Sequence, residues 1–155
     1  MTRRILFVGD DPYVLEGYRR MLHGDFTIET APGVKQAWAT MQVFGPFAVV
    51  LSEMRMSGLN GVEFLARARE LAPDTVGILV TGSRDHGQAV RAVKLGRIFH
   101  YLVKPCEKNE FVIALRLGLA QYRINMKAAE LIKEANAYRL SAASRPLQEN
   151  FLVEE

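Results

Sequence analysis

The chain has 155 residues, 49% of them hydrophobic and 24% charged, a size and composition typical of one globular domain with a short extension. Its net charge of +3 is too small to favour direct binding to nucleic acid. Its longest apolar run, 47–51, falls far short of the roughly 20 residues that cross a membrane, so we expect a cytoplasmic protein without membrane contact.

Short apolar runs alternate with helical patterns along the first hundred residues. Runs typical of buried strands occupy 5–8, 48–51 and 76–80, with further strands expected at 27–30 and 98–103. Apolar residues recur at helical spacing in 12–22, 34–44 and 62–71, and a fourth helix should follow the fourth strand. This alternation predicts an α/β protein of the flavodoxin-like (βα)5 class, a doubly wound parallel sheet of order 2-1-3-4-5.

The last third of the chain predicts one long helix. Residues 111–140 contain no proline and only one glycine, so the helix should extend beyond the sheet. Residues at alternating spacings of four and three form a heptad seam: Leu117, Gln121, Ile124, Ala128, Leu131, Ala135 and Tyr138. The seam predicts a coiled-coil homodimer, and a solitary amphipathic helix is the alternative. We therefore expect an α/β domain at 1–122, a helical extension at 123–141 and a flexible tail at 142–155.

Polar residues lie where the predicted strands end, which is the position of the ligand crevice in a doubly wound sheet. Asp10 and Asp11 follow the first strand, Glu53 ends the third, Thr81 ends the fourth and Lys104 ends the fifth. Each alone is ordinary, because strand ends are commonly polar. Together, carboxylates facing a lysine and a hydroxyl predict a site for a divalent cation and a phosphoryl group.

These segments resemble the CheY-like receiver domain of bacterial two-component response regulators over about 3–122. The resemblance rests on the motifs Val8-Gly9-Asp10-Asp11-Pro12, Ser52-Glu53-Met54-Arg55, Thr81 and Tyr101-Leu102-Val103-Lys104-Pro105. In that family an aspartate at the tip of the third strand accepts a phosphoryl group from a sensor histidine kinase. Glu53 holds this phosphoacceptor position here, which makes the chain an atypical member.

The resemblance also implies roles for residues on the neighbouring strands. Thr81 would bind a phosphoryl oxygen, Tyr101 would be the aromatic switch, Lys104 would pair with the phosphoryl group, and a cis bond would precede Pro105. Metal ligands would be Asp10, the acceptor carboxylate of Glu53 and the backbone carbonyl of Arg55.

One departure from the family pattern weakens that predicted metal site. The family usually places two acidic residues at the end of the first strand, and the preferred alignment puts Gly9 at the first of them, Asp10 at the second and Asp11 just after the pair. The alternative alignment pairs Asp10 with Asp11 but leaves Pro12 one place early. With a carboxylate lost at Gly9, we expect Mg²⁺ to bind weakly or not at all. Ser57 replaces the usual proline of the following loop, a change expected to loosen it.

Glutamate at position 53 alters the chemistry of the acceptor. Its extra methylene moves the carboxylate outward by more than about one ångström and adds a torsion, a displacement that in-line phosphoryl transfer tolerates poorly. It also lets Glu53 reach Lys104 without a cation. Three interpretations stay open: Glu53 mimics a phosphorylated aspartate, the site has decayed, or the glutamate was introduced by engineering. The mimic requires that Thr81 engage Glu53 and that Tyr101 turn inward.

The sequence therefore predicts a receiver domain of two-component phosphorelay signalling that is not an enzyme. We expect a degenerate pseudo-receiver with impaired phosphorylation. It would signal by contact with a sensor histidine kinase or another signalling protein, through the face of the fourth helix, the fifth strand and the fifth helix. The alternative is a conventional Mg²⁺-dependent, phospho-accepting receiver that controls a separate or truncated output domain. A flavin-binding protein of the same fold is disfavoured, because Asp10 and Asp11 stand where a phosphate loop is needed.

Overall fold

The structure is a computed structural model that describes residues 1–144. Five parallel strands form one sheet in the predicted order β2-β1-β3-β4-β5. The strands are β1 Ile5–Gly9, β2 Ile28–Pro32, β3 Val49–Glu53, β4 Val76–Thr81 and β5 His100–Val103. The helices are α1 Pro12–Leu22, α2 Val34–Phe44, α3 Gly61–Leu71, α4 His86–Lys94 and α5 Lys108–Ala143, with a 3-10 turn at Ser83–Asp85 before α4.

The three central strands are the most apolar and the most deeply buried. All five residues of β1 are buried, and so are the first four of β3 and five of the six in β4. Helices therefore cover both faces of the sheet, as continuous apolar runs predict. The core packs Leu6, Val50, Phe64 and Leu79 together.

Local capping explains where two helices begin. The Asp11 carboxylate accepts a hydrogen bond from the Tyr13 backbone N–H, and Pro12 occupies the first position of α1. The Asn60 side chain accepts a hydrogen bond from the Glu63 backbone N–H at 2.9 Å and caps the start of α3. These caps set the directions in which the chain leaves β1 and the loop after β3.

The edge strands differ from their predicted bounds. β2 was expected at 27–30 and lies at Ile28–Pro32, because it pairs only with β1 and its ends follow that partner. β5 was expected from 98 and begins at His100, opposite Ile78. Ile98 instead packs in the core ahead of the strand. Hydrophobicity reports burial, whereas strand bounds depend on the neighbouring strand.

The chain divides into a compact unit, Met1–Arg123, and a second unit that begins at Ile124. Helix α5 continues to Ala143, two residues past the end predicted for the helical extension, so the first two residues of the predicted tail are helical. The rest of that tail, from 145, lies outside the described residues. Within residues 1–144, no helix combines the length and the apolar character that a bilayer span requires.

Candidate functional site

A cleft of about 540 Å³ opens at the carboxyl ends of the strands, where the polar motifs were predicted to converge. Its lining includes Asp10, Asp11, Glu53 and Lys104. The parallel pairing of β1 with β3 and of β3 with β4 brings these strand ends side by side. Residues as far apart in the sequence as Asp10 and Lys104 therefore lie at the same edge of the sheet.

The Glu53 carboxylate is the centre of the cleft and is held on both sides. Its Oε2 lies 2.6 Å from the Nζ of Lys104, and its Oε1 accepts a hydrogen bond of 2.8 Å from the hydroxyl of Tyr18. The Glu53 side chain is only 12% exposed, so these contacts replace most of its hydration. A direct pair between Glu53 and Lys104 was predicted, and the structure confirms it.

Tyr18 is a site residue that the sequence analysis did not identify. It lies on α1, half-buried, with its ring packed edge-on against Phe7 at 5.6 Å between centroids and tilted against Phe111 at 5.0 Å. Burial and the charge of Glu53 hold the pKa of Tyr18 well above its ordinary value, so the hydroxyl stays protonated and donates. The sequence did contain a signal for this role, a tyrosine on the apolar face of a predicted helix. A buried tyrosine hydroxyl needs a hydrogen-bond partner, so such a residue is expected to bond to a nearby polar group.

Gly9, the last residue of β1, directly faces Glu53. A Cβ at position 9 would stand 2.8 Å from the Cγ of Glu53 and 3.4 Å from the Cδ2 of Leu15. The first distance is shorter than a carbon–carbon contact allows. Position 9 therefore faces the Glu53 side chain, and the place of Gly9 in the metal site stays a prediction. Asp11 points instead to the backbone of Tyr13, outside any pair with Asp10.

Asp10 is engaged by the loop that follows β3. Its Oδ2 accepts hydrogen bonds from the backbone N–H and the hydroxyl of Ser57, at 2.7 and 3.0 Å. A proline at position 57 could make neither bond, since it lacks both donors. The expectation that Ser57 loosens this loop is therefore wrong: Ser57 ties the loop to the end of β1.

A second ion pair crosses the cleft between two loops. The Arg55 guanidinium donates to both carboxylate oxygens of Asp85, at 2.9 and 3.2 Å. Asp85 is buried, with 7% of its surface exposed, and the hydrogen bond from Arg55 holds the pKa of its carboxyl below the ordinary value. The pair joins the loop after β3 to the turn before α4. No sequence pattern indicated it, because its partners lie thirty positions apart.

The two switch residues implied by the resemblance make other contacts. The Thr81 hydroxyl donates to the Gly82 carbonyl at 3.1 Å, so it is not directed at Glu53. The Tyr101 hydroxyl lies 2.9 Å from the Nε2 of His86, and Tyr101 is half-buried beside the core. The first condition of the phosphate-mimic interpretation, that Thr81 engage Glu53, is therefore not met in this structure.

The carboxylates of the cleft do not fit a divalent cation well. Within residues 1–144, no three His, Cys, Asp or Glu side chains group as metal ligands would. Asp10 is bonded to Ser57, Asp11 caps α1, and the ammonium of Lys104 stands against the Glu53 carboxylate. That the backbone carbonyl of Arg55 binds a metal ion stays a prediction. The contacts present favour a cleft in which the ammonium of Lys104 neutralises the charge of the Glu53 carboxylate.

Comparison with known proteins assigns the fold to a family. The family model for the response regulator receiver domain matches residues 5–116. The chain belongs to this family. This match confirms the predicted receiver domain. The structure separately confirms the cis peptide bond between Lys104 and Pro105 that the resemblance implied.

Two curated proteins and one solved structure illustrate how similar this chain is to known proteins. The photosynthetic apparatus regulatory protein RegA of Cereibacter sphaeroides is 36% identical over 73% of this chain and 61% of its own length. The hydrogenase transcriptional regulatory protein HoxA of Cupriavidus necator is 31% identical over 72% of this chain and 23% of its own length. A solved chain described as adenylate cyclase from Rhodopirellula baltica superposes with a TM-score of 0.81 at 34% identity, covering 86% of this chain and 98% of that one.

The receiver domain thus spans under a quarter of HoxA. Receiver domains of this kind are signalling domains that interact with sensor kinases and output domains. In this receiver domain the Glu53 carboxylate contacts Tyr18 and Lys104, and Gly9 lies beside the Glu53 side chain.

Proposed function

We propose that this receiver domain is a pseudo-receiver, which relays signals by protein contact without accepting a phosphoryl group at Glu53. The observation that carries the proposal is the engagement of both Glu53 oxygens, one by Tyr18 and one by Lys104. An acceptor oxygen must be free to attack phosphorus in line, and must do so from a position held within about one ångström. Each oxygen of Glu53 already has a partner, and the extra methylene of glutamate moves both oxygens from the place that an aspartate would give them.

A cation-free pocket is part of the proposal. Mg²⁺ would have to displace the Lys104 ammonium from Glu53 and Ser57 from Asp10 before it met two carboxylates. Mg²⁺ also loses its hydration water reluctantly and demands octahedral geometry. We therefore propose that Mg²⁺ binds weakly, and that Lys104 supplies the positive charge that a metal supplies in a phosphorylated receiver.

Partners would meet the domain on the face formed by α4, β5 and α5. Arg91 and Lys94 are exposed on α4, which favours an acidic partner surface. A sensor histidine kinase or another signalling protein fits this proposal, and signalling would then depend on docking more than on chemistry.

Incubation with acetyl phosphate and Mg²⁺ is expected to leave the protein unmodified. Transfer to Glu53 would have to break its bond to Tyr18 and its pair with Lys104, and would start from misplaced oxygens. Intact mass spectrometry over a time course measures the outcome. Glu53→Ala serves as the matched control, because a mass gain that survives it has gone to another residue. Stoichiometric gain of one phosphoryl group, abolished by Glu53→Ala, would establish the conventional phospho-accepting receiver instead.

We also propose that the domain forms a homodimer through the heptad seam of α5. Leu117, Ile124, Leu131 and Tyr138 are each at least half exposed, at 50, 60, 51 and 67%. They recur every seven residues, the arrangement that buries a stripe between two helices. In a parallel pairing, Glu134 of one copy would also lie near Arg139 of the other, a favourable flanking charge pair. A second copy of the chain is thus the occupant that this stripe fits.

Leu131→Asp is expected to weaken the dimer by at least about tenfold, because burying such a side chain contributes roughly 1.5–3 kcal/mol. Leu140→Asp is the matched control, since Leu140 is 73% exposed on the opposite side of the heptad and should leave association unchanged. Sedimentation equilibrium measures both. Truncation after Arg123 should yield a folded monomer. A dimer that survives truncation would place the interface on α4 and β5, and a monomeric full-length chain at high micromolar concentration would leave α5 a solitary helix.

A further inference from the structure

The acceptor position is connected to α5 by a short chain of direct contacts on the α1 side of the sheet. The Glu53 carboxylate accepts from the Tyr18 hydroxyl at 2.8 Å, and the Tyr18 ring packs against Phe111 at 5.0 Å. Phe111 is 2% exposed and lies in the first turns of α5. The Tyr18 side chain therefore contacts both the Glu53 carboxylate in the cleft and Phe111 in the first turn of α5.

The expected switch residues do not offer this connection. The Thr81 hydroxyl is bonded to Gly82, and the Tyr101 hydroxyl is paired with His86 of α4. The hydroxyl that reaches the Glu53 carboxylate comes from α1 instead. A change in the charge or position of this carboxylate would therefore first alter its contacts with Tyr18 and Lys104.

The Tyr18 contact is also a strong and directional one. A hydrogen bond to an ionised acceptor is roughly twice as strong as one between neutral groups, and a low-dielectric surrounding strengthens it further. The hydrogen bond of the hydroxyl restrains the tilt of the ring, and the ring packs against both Phe7 and Phe111. Loss of the bond would leave the ring in place but free to tilt, which would slacken its packing on α5.

We propose that Tyr18 is a positioning residue that couples the state of the Glu53 carboxylate to the start of helix α5. The inference goes beyond the proposed function, because it concerns how the cleft is connected to the helix and holds whether or not Glu53 can accept phosphate. A partner that binds at the cleft would change the order of α5 through Tyr18, and a partner that binds α5 would in turn affect Glu53, since coupling is reciprocal.

Amide hydrogen exchange of the full-length chain tests the coupling. Tyr18→Phe keeps the ring but removes the hydroxyl, and we expect exchange at residues 111–115 to accelerate by about fivefold, the lower end of typical coupling effects. Glu53→Gln, which keeps the length and removes the charge, should accelerate the same amides by at least about twofold. In the Tyr18→Phe background, Glu53→Gln should add nothing further at these amides, because the connection is already broken.

Two comparisons separate coupling from a general loss of stability. Tyr13→Phe is the matched control, since Tyr13 lies on the same helix with 89% of its surface exposed, and it should leave residues 111–115 unchanged. Amides of α3 serve as the internal reference. If α3 and α5 accelerate equally, Tyr18 contributes only overall stability and the proposal fails. It fails equally if Tyr18→Phe leaves α5 unchanged, or if the two substitutions act additively.

Discussion

The double variant Gly9→Asp/Glu53→Asp is expected to gain a phosphoryl group from acetyl phosphate in the presence of Mg²⁺. The aspartate at 53 is one methylene shorter, which restores the placement of the acceptor and shortens its reach toward Tyr18 and Lys104. The aspartate at 9 adds a second carboxylate beside Asp10, as Mg²⁺ sites with one or two carboxylates require. Intact mass spectrometry with and without Mg²⁺ measures the gain.

The single variants should rank in a definite order. Glu53→Asp alone is expected to be modified only partly, because it has an acceptor but a weakened metal site. A misplacement of about one ångström can slow a reaction roughly 10²-fold, so Gly9→Asp alone, which keeps Glu53, should stay unmodified. If Glu53→Asp performs as well as the double variant, Gly9 does not occupy a metal-site position. If the double variant also stays unmodified, the Tyr18 side of the pocket blocks the donor.

Gly9→Ala is expected to destabilise the native protein by about 1–3 kcal/mol, the usual cost of forcing an extra methyl group into a packed site. The new Cβ would lie 2.8 Å from the Cγ of Glu53. Glu53 cannot easily move aside, because both ends of its carboxylate are held by Tyr18 and Lys104. Urea unfolding of the purified variants measures the free energy of unfolding.

The cost should depend on the residue at 53. In the Glu53→Asp background the shorter side chain is no longer held on both sides and can rotate away from position 9, so Gly9→Ala should cost little. This difference is the interaction energy of a double-mutant cycle. Gly82→Ala is the matched control, since a Cβ there meets nothing within 4 Å in the same cleft. Equal costs in both backgrounds would show that Gly9 and Glu53 are independent.

These expectations change how the two departures from the family are understood. A glycine at 9 and a glutamate at 53 looked in the sequence like two separate losses. In the structure a Cβ at 9 would lie 2.8 Å from the Cγ of Glu53, so the glycine leaves room for the conformation of that side chain. The two positions are packed against each other, and the conformation that Glu53 adopts depends on the absence of a side chain at position 9.

The general fold was predictable because its signals are local. The bounds of α1 and α2 matched the predicted ones residue for residue, since helical periodicity, Pro12 and the turns around them are all encoded in neighbouring positions. The apolar runs of β1, β3 and β4 likewise marked buried strands. Edge strands were less well placed, because β2 and β5 take their limits from a partner strand.

The amino-acid sequence by itself determined the five-stranded fold, the family and the row of polar residues at the strand ends. Only the tertiary structure decided what those residues do to one another. Whether Glu53 would be free, bound to Lys104 or held by Tyr18 depends on distances between side chains 35 and 51 positions away, and no local pattern reports such distances. The same holds for Ser57 with Asp10 and for Arg55 with Asp85, because pairing between distant groups is set by how the strands and helices pack.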